Sequence, residues 1–211
     1  MCDVAENAVV NCVDVPSIYE IPTMLHTEGL DSYVVEHLEL KCGDVDWAEW
    51  GDLLDRVHHP KDEITIGIIG KYIDLPDAYL SVTEAIKAGG FGNYVRAKIE
   101  WISADNCETD EGAQRYLSNL DVIVIPGGFG IRGIEGKINA LRYARENKLP
   151  ALGICLGMQS MVIEYARNVL GYADANSSEF EDGTTHPVIA TMEEQKDIVS
   201  GHGDMGHTMR L

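Results

Sequence analysis

The chain has 211 residues, 45 % apolar and 24 % charged, an ordinary composition for a folded protein and enough length for one domain with a substantial core. Its formal net charge of -19 repels phosphate backbones and argues against nucleic acid as a partner. No apolar run reaches bilayer length, "MCDVAENAVV" lacks the pattern of a secretory signal, and the five cysteines (Cys2, Cys12, Cys42, Cys107, Cys155) form no CxxC pair, so a cytoplasmic protein with free thiols, no membrane contact and no metal site is expected.

Residues 1–42 open with a strand-like "NAVVNCVDV" and a proline turn. An amphipathic "SIYEIPTMLHTEGL" follows and stops at Gly29. This is too little chain to bury a core alone. Residues 43–62, "GDVDWAEWGDLLDRVHHPKD", are acidic and read as a linker with one short helical stretch, its Trp47 and Trp50 anchoring one turn to a neighbouring surface. His58 and His59 read as solvated side chains of that linker.

From residue 63 strands and helices alternate. "EITIGIIG" is a strand, and "DAYLSVTEAIKAGG" is a helix stopped by glycines. "RAKIEWISA" is a strand and "DEGAQRYLSNL" a helix. "DVIVIPGGFG" is a buried strand running into a glycine loop, and "GKINALRYARENK" is a helix. "LPALGIC" is a strand and "LGMQSMVIEYARNVLG" a helix. Continuous apolar strands between helices predict an α/β fold, a mostly parallel sheet with helices on both faces. Ligands of such sheets bind beyond the carboxyl ends of the strands, where both glycine-flanked segments fall.

"GICLG" sets Cys155 between Gly153 and Gly157. A nucleophile on a sharp strand-to-helix turn needs small residues two positions to either side. Its sulfur would stand at a helix amino terminus, where the dipole and free N–H groups favour negative charge. The Leu156 N–H then points at an oxyanion, and the Gly127–Gly128 loop offers a second donor. The competing reading is a buried structural cysteine beside an ordinary glycine turn. Two such loops at one sheet edge favour catalysis. "GIIGKY" lacks the spacing of a phosphate loop, so Lys71 reads as the end of the first strand. Met158 and Met161 read first as helix core.

"GGFGIRGIEGK", "GICLGMQ" and "NSSEF" resemble the class I glutamine amidotransferase domain of the CTP synthase family, and "PSIYEIP", "TIGIIGKYIDLPDAYLSVTEA" and "GHTMRL" carry the resemblance across the chain. It implies a flavodoxin-like amidotransferase domain over 63–211, incomplete at its carboxyl end. It makes 43–62 a linker and 1–42 the carboxyl end of an ATP-dependent amidoligase domain, a remnant of a second α/β domain. It implies glutamine hydrolysis at Cys155, with ammonia passed on to aminate UTP, using ATP and Mg2+, under GTP activation, in a homotetramer.

By the same resemblance, Leu156 and Gly128 form the oxyanion hole. Gly128, Phe129, Leu156, Gly157, Met158 and Gln159 line the glutamine site, and Glu179 takes the substrate's α-amino group. Val13, Asp14 and Val15 contact ATP's adenine. Arg132 lies in the loop near the GTP effector. The family's catalytic histidine and glutamate belong to a late motif that this sequence does not contain. "HPV" at His186 falls at a different family position, a strand start, and His202 and His207 lie in a polar glycine-rich stretch. Residues 1–211 alone are therefore expected to turn over glutamine negligibly and to form no CTP. Two other readings are weighed: a cysteine hydrolase or stress-response protein of the same architecture, and a non-catalytic assembly module.

Overall fold

A computed structural model describes residues 4–190. His202, His207, Cys2 and "GHTMRL" lie outside the described residues. The strand expected over 7–15 does not form. A 3-10 turn at Glu6–Ala8 is followed by extended chain, with Val9 and Val13 largely exposed. β-branched residues alone do not make a strand; a sheet edge must pair with them, and no strand among the described residues does so here.

Helix α1, Ile21–Thr27, starts with Pro22 in its first turn, where a missing N–H costs nothing. Gly29 ends it as expected, at φ 83, and serves as the N-cap of a second helix, α2, Leu30–His37. That helix was not expected. The segment read as a linker is mostly helix α3, Ala48–His58. Its tryptophans do anchor it: Trp50 Nε1 donates to the Tyr19 carbonyl at 3.0 Å, and the Trp47 ring lies 5.0 Å from that of His26. His58 and His59 each pair with one carboxylate, Glu20 and Asp55.

The α/β body then runs as β1 Asp62–Gly70, α4 Leu80–Gly92, β2 Val95–Ser103, α5 Asp110–Leu117 and β3 Val122–Ile125. It continues as α6 Ile134–Glu146, β4 Ala151–Gly153 and α7 Leu156–Asn168. The four strands form one parallel sheet in the order β2-β1-β3-β4. β1 and β3 hold the centre, where Ile68, Ile69, Ile123 and Ile125 are all 0 % exposed. Full burial of each contributes ~1.5–3 kcal/mol, so this row dominates the core. After α7, the short strands β5 Asn176–Ser177 and β6 Pro187–Ile189 pair with each other.

Two expected boundaries move. α4 does not stop at Gly89–Gly90 but continues to Gly92. A Cβ on Gly90 would fall 2.5 Å from the Val95 carbonyl oxygen, so that glycine serves close packing of helix on strand. β4 keeps only three residues, and Leu152 is 55 % exposed. It is a sheet edge among the described residues, with no strand beyond it.

Candidate active site

Cys155 is the N-cap of α7 and adopts φ 54, ψ -111, a region that non-glycine residues rarely occupy. Holding it there costs on the order of 1–3 kcal/mol, which the surrounding packing must offset. That packing is glycine against backbone. A Cβ on Gly153 would meet the Gly157 carbonyl carbon at 2.5 Å, and one on Gly157 would meet the Ile125 oxygen at 2.0 Å. The first turn of α7 is thus wedged between β4 and the end of β3. The Gly157 N–H donates to the Ile154 carbonyl at 2.9 Å and the Ile154 N–H to Ile125 at 2.9 Å, fixing the turn.

The thiol is exposed, and it faces the loop that follows β3. A Cβ on Gly127 would stand 3.9 Å from Sγ. A Cβ on Gly128 would stand 3.7 Å from the Leu156 side chain. Leu156 is the first residue of α7, so its N–H has no acceptor within the helix. The Gln159 N–H is already donated to the Cys155 carbonyl at 3.0 Å, and its side chain is half buried. The structure therefore brings together Cys155, Leu156, Gly157, Gln159, Gly127 and Gly128. Met158 is 48 % exposed on the first turn of α7, against the expectation of core, whereas Met161 packs into the core as expected. Phe129 is 73 % exposed.

Two lysines converge on this loop. Lys71 follows β1 directly, as read from the sequence, and its ammonium donates to the Phe129 carbonyl. Arg132 Nη2 donates to the Lys71 carbonyl at 2.9 Å, tying the far end of the loop to the same residue. Lys137 of α6 is 0 % exposed, and its Nζ lies 3.9 Å from the Cβ position of Gly128 without a hydrogen-bond partner among the described residues. Burial, with the neighbouring Lys71 charge, pushes its pKa down to about 8, and the nearby Cys155 thiol opposes the shift. Sequence reading missed Lys137. A lysine in "GIEGKINALRYARENK" carries no mark of burial, because the cover comes from a loop preceding the helix.

Glu179 lies in the turn after β5, exposed, with its N–H donated to Ser177 Oγ at 3.2 Å. The neighbouring Phe180 packs with Val188 and Ile189 on the cluster that contains Leu156, which seats this turn on the elbow's helix. His186 precedes β6, as expected of a strand-end residue. Its Nδ1 is 2.6 Å from Asp174 Oδ1, and its ring stacks on Tyr172 at 4.5 Å. Hydrogen bonds from Thr185 and His186 hold the Asp174 carboxyl well below the usual carboxylate range. Val13, Asp14 and Val15 are not part of this cluster. Val15 lines a shallow cleft with Met24, Leu54 and His58. Cys107 is fully buried, and burial pushes its thiol up to about 11.

The family model for class-I glutamine amidotransferases matches residues 74–210. The chain belongs to the class-I glutamine amidotransferase family. A second model, for the CTP synthase N-terminus, matches residues 1–40. Along its whole length the chain is similar to CTP synthases of Bifidobacterium longum, at 71 % identity, and Thermobifida fusca, at 62 %. It spans 38 % of the length of each of these relatives. Among solved structures, it is similar to the glutaminase domain of Trypanosoma brucei CTPS with bound acivicin. That likeness has a TM-score of 0.60 and 38 % identity, covering 63 % of this chain and 52 % of that one. The mostly parallel sheet is that of a class-I amidotransferase, in line with the fold expected from the sequence. The family match sets aside a different cysteine hydrolase of the same architecture.

Proposed function

We propose that this chain carries the glutamine-hydrolysing site of a CTP-forming ligase, with Cys155 as nucleophile. The observation that supports it most is the strained elbow itself: Cys155 at φ 54 on the amino end of α7, with its sulfur facing Gly127. Sγ attacks the side-chain amide carbon of glutamine. The resulting oxyanion is taken by the Leu156 and Gly128 N–H groups, aimed where charge develops. Collapse breaks the C–N bond; the nitrogen leaves as ammonia once protonated, and a glutamyl thioester remains. Water cleaves that thioester to glutamate and restores the thiol. Glu179 takes the substrate's α-ammonium, and Phe129, Gly157, Met158 and Gln159 complete the glutamine pocket.

His186 is committed to Asp174 and Tyr172, so it is not assigned the proton transfers. The resemblance gives them to a late histidine and glutamate, which makes residues 1–211 alone a poor glutaminase and no source of CTP. Residues 1–42, 43–62 and 63–211 are read as amidoligase end, linker and amidotransferase domain. Ammonia is then used to aminate UTP in a cytoplasmic homotetramer, with Arg132 in the loop that answers GTP. ATP would supply the activating phosphoryl group. Val13, Asp14 and Val15 fit an adenine edge, since none of the three makes a backbone hydrogen bond to a described residue. By the same resemblance the Mg2+ carboxylates lie outside residues 1–211.

The test is labelling of the purified chain with a glutamine-like diazo-ketone, followed by peptide mapping. Cys155 should be modified first, and Glu179→Gln should slow that reagent while leaving iodoacetamide unaffected. Earlier modification of Cys42 or Cys107 would overturn the reading.

A further inference from the structure

Among the described residues Lys137 is buried with no hydrogen-bond partner for its ammonium, an arrangement that costs stability and survives only where something offsets it. A lysine that merely filled space would point its ammonium outward along its flexible stem. This one turns inward, to within 3.9 Å of the Cβ position of Gly128, beneath the loop whose other glycine faces the Cys155 sulfur. The charged groups around it are Lys71 from the end of β1 and Cys155 from the start of α7. Asp105, after β2, stands beside Gly133 at the start of α6. Arg132 and Lys71 both donate to backbone carbonyls here, whereas Lys137 has no hydrogen-bond partner among the described residues.

We propose that Lys137 is a positioning residue of the thiol site, a fixed positive charge beneath the Gly127–Gly128 loop that stabilises negative charge developing at the Cys155 sulfur and on the tetrahedral adduct. It acts through the field of a charge that is itself buried beneath the loop, where it is screened less than a charge in solvent. The inference rests on the thiol-site reading above.

The test uses the full chain and its Lys137→Met and Cys155→Ser variants. The rate of iodoacetamide modification of Cys155 is followed against pH, with unreactive Cys107 as the check on folding. Lys137→Met should lower the neutral-pH rate by about tenfold and move the rise of the rate to higher pH by about one unit. In the reciprocal arm, the Lys137 side chain is titrated by NMR in wild type and in Cys155→Ser, which keeps the lysine. Loss of the sulfur charge should make the ammonium release its proton at lower pH. Unmoved curves in both arms would overturn the proposal, and the second arm decides if Lys137→Met does not fold. Diazo-ketone labelling runs in parallel. Its failure with coupled curves would remove the glutamine reading alone, whereas its success with unmoved curves would remove only the role of Lys137.

Discussion

The Cα of Gly157 approaches the Ile125 carbonyl so closely that a Cβ there would fall 2.0 Å from the oxygen. This contact sets how near the first turn of α7 comes to the end of β3, and so where Cys155 stands relative to the Gly127 loop. Gly157→Ala must push the helix away from the strand. Overpacking of this kind costs typically 1–3 kcal/mol, and a backbone partner with no room to yield places it at the upper end, about 3 kcal/mol. Urea unfolding would measure the loss. Iodoacetamide modification of Cys155 should change as well, whereas Gly51→Ala, inside α3 with nothing within 4 Å of the added Cβ, should raise stability by up to about 1 kcal/mol and leave the labelling unchanged.

Glu164 of α7 is 4 % exposed and is gripped by Arg145 of α6, with Nε and Nη2 at 3.0 and 2.9 Å from Oε1. Arg145→Met leaves the carboxylate buried without its cation, and a loss of about 3–5 kcal/mol is expected. The double variant Arg145→Met, Glu164→Leu removes both charges from the same space and should recover most of that loss. A thermodynamic cycle on unfolding free energies measures the difference. Simple additivity of the two single losses would contradict it.

Lys137 makes stability depend on alkaline pH. Its pKa, lowered to about 8 from 10.5, means the unfolded chain binds the proton more tightly between those values. Stability from this group therefore rises with pH through that window, by roughly 3 kcal/mol in full. Cys107 acts in the opposite sense. Its thiol, raised to about 11 from 9.0, contributes stability below pH 9 that is lost as pH rises further. The difference between wild type and Lys137→Met isolates the lysine. The variant should be the more stable at pH 7, with the gap closing by pH 10, as read from denaturant midpoints.

Asp174 gathers the Thr185 N–H, the Thr185 hydroxyl and His186 on one exposed carboxylate. With its pKa depressed, its contribution is complete above the ordinary carboxylate range and is lost as pH falls through and below about 4. Asp174→Asn should flatten that acid-side slope in urea midpoints measured across this range. His186→Phe keeps the ring on Tyr172 and should leave Cys155 labelling within about twofold of wild type. A large fall would give His186 a part in the thiol chemistry.

The glycine–cysteine–glycine turn was legible in the sequence because its cause is local. Residues 153, 155 and 157 must share a bend too tight for side chains, and only glycine meets that requirement at the flanks. The alternation of apolar strands and helices from residue 63 was legible for the same reason, since each element's pattern is written within its own length. The first 60 residues read less well. A strand over 7–15 needed a partner edge that the described residues do not supply, and α3 was read as only one short helical stretch of an acidic linker. Tertiary structure alone decided the place of Lys137. Its neighbours in sequence are those of an ordinary surface helix, and only the fold lays the loop after β3 across it. Burial of a charge depends on what packs around it, and the Lys137 ammonium lies against the loop at Gly128, a residue outside the helix altogether.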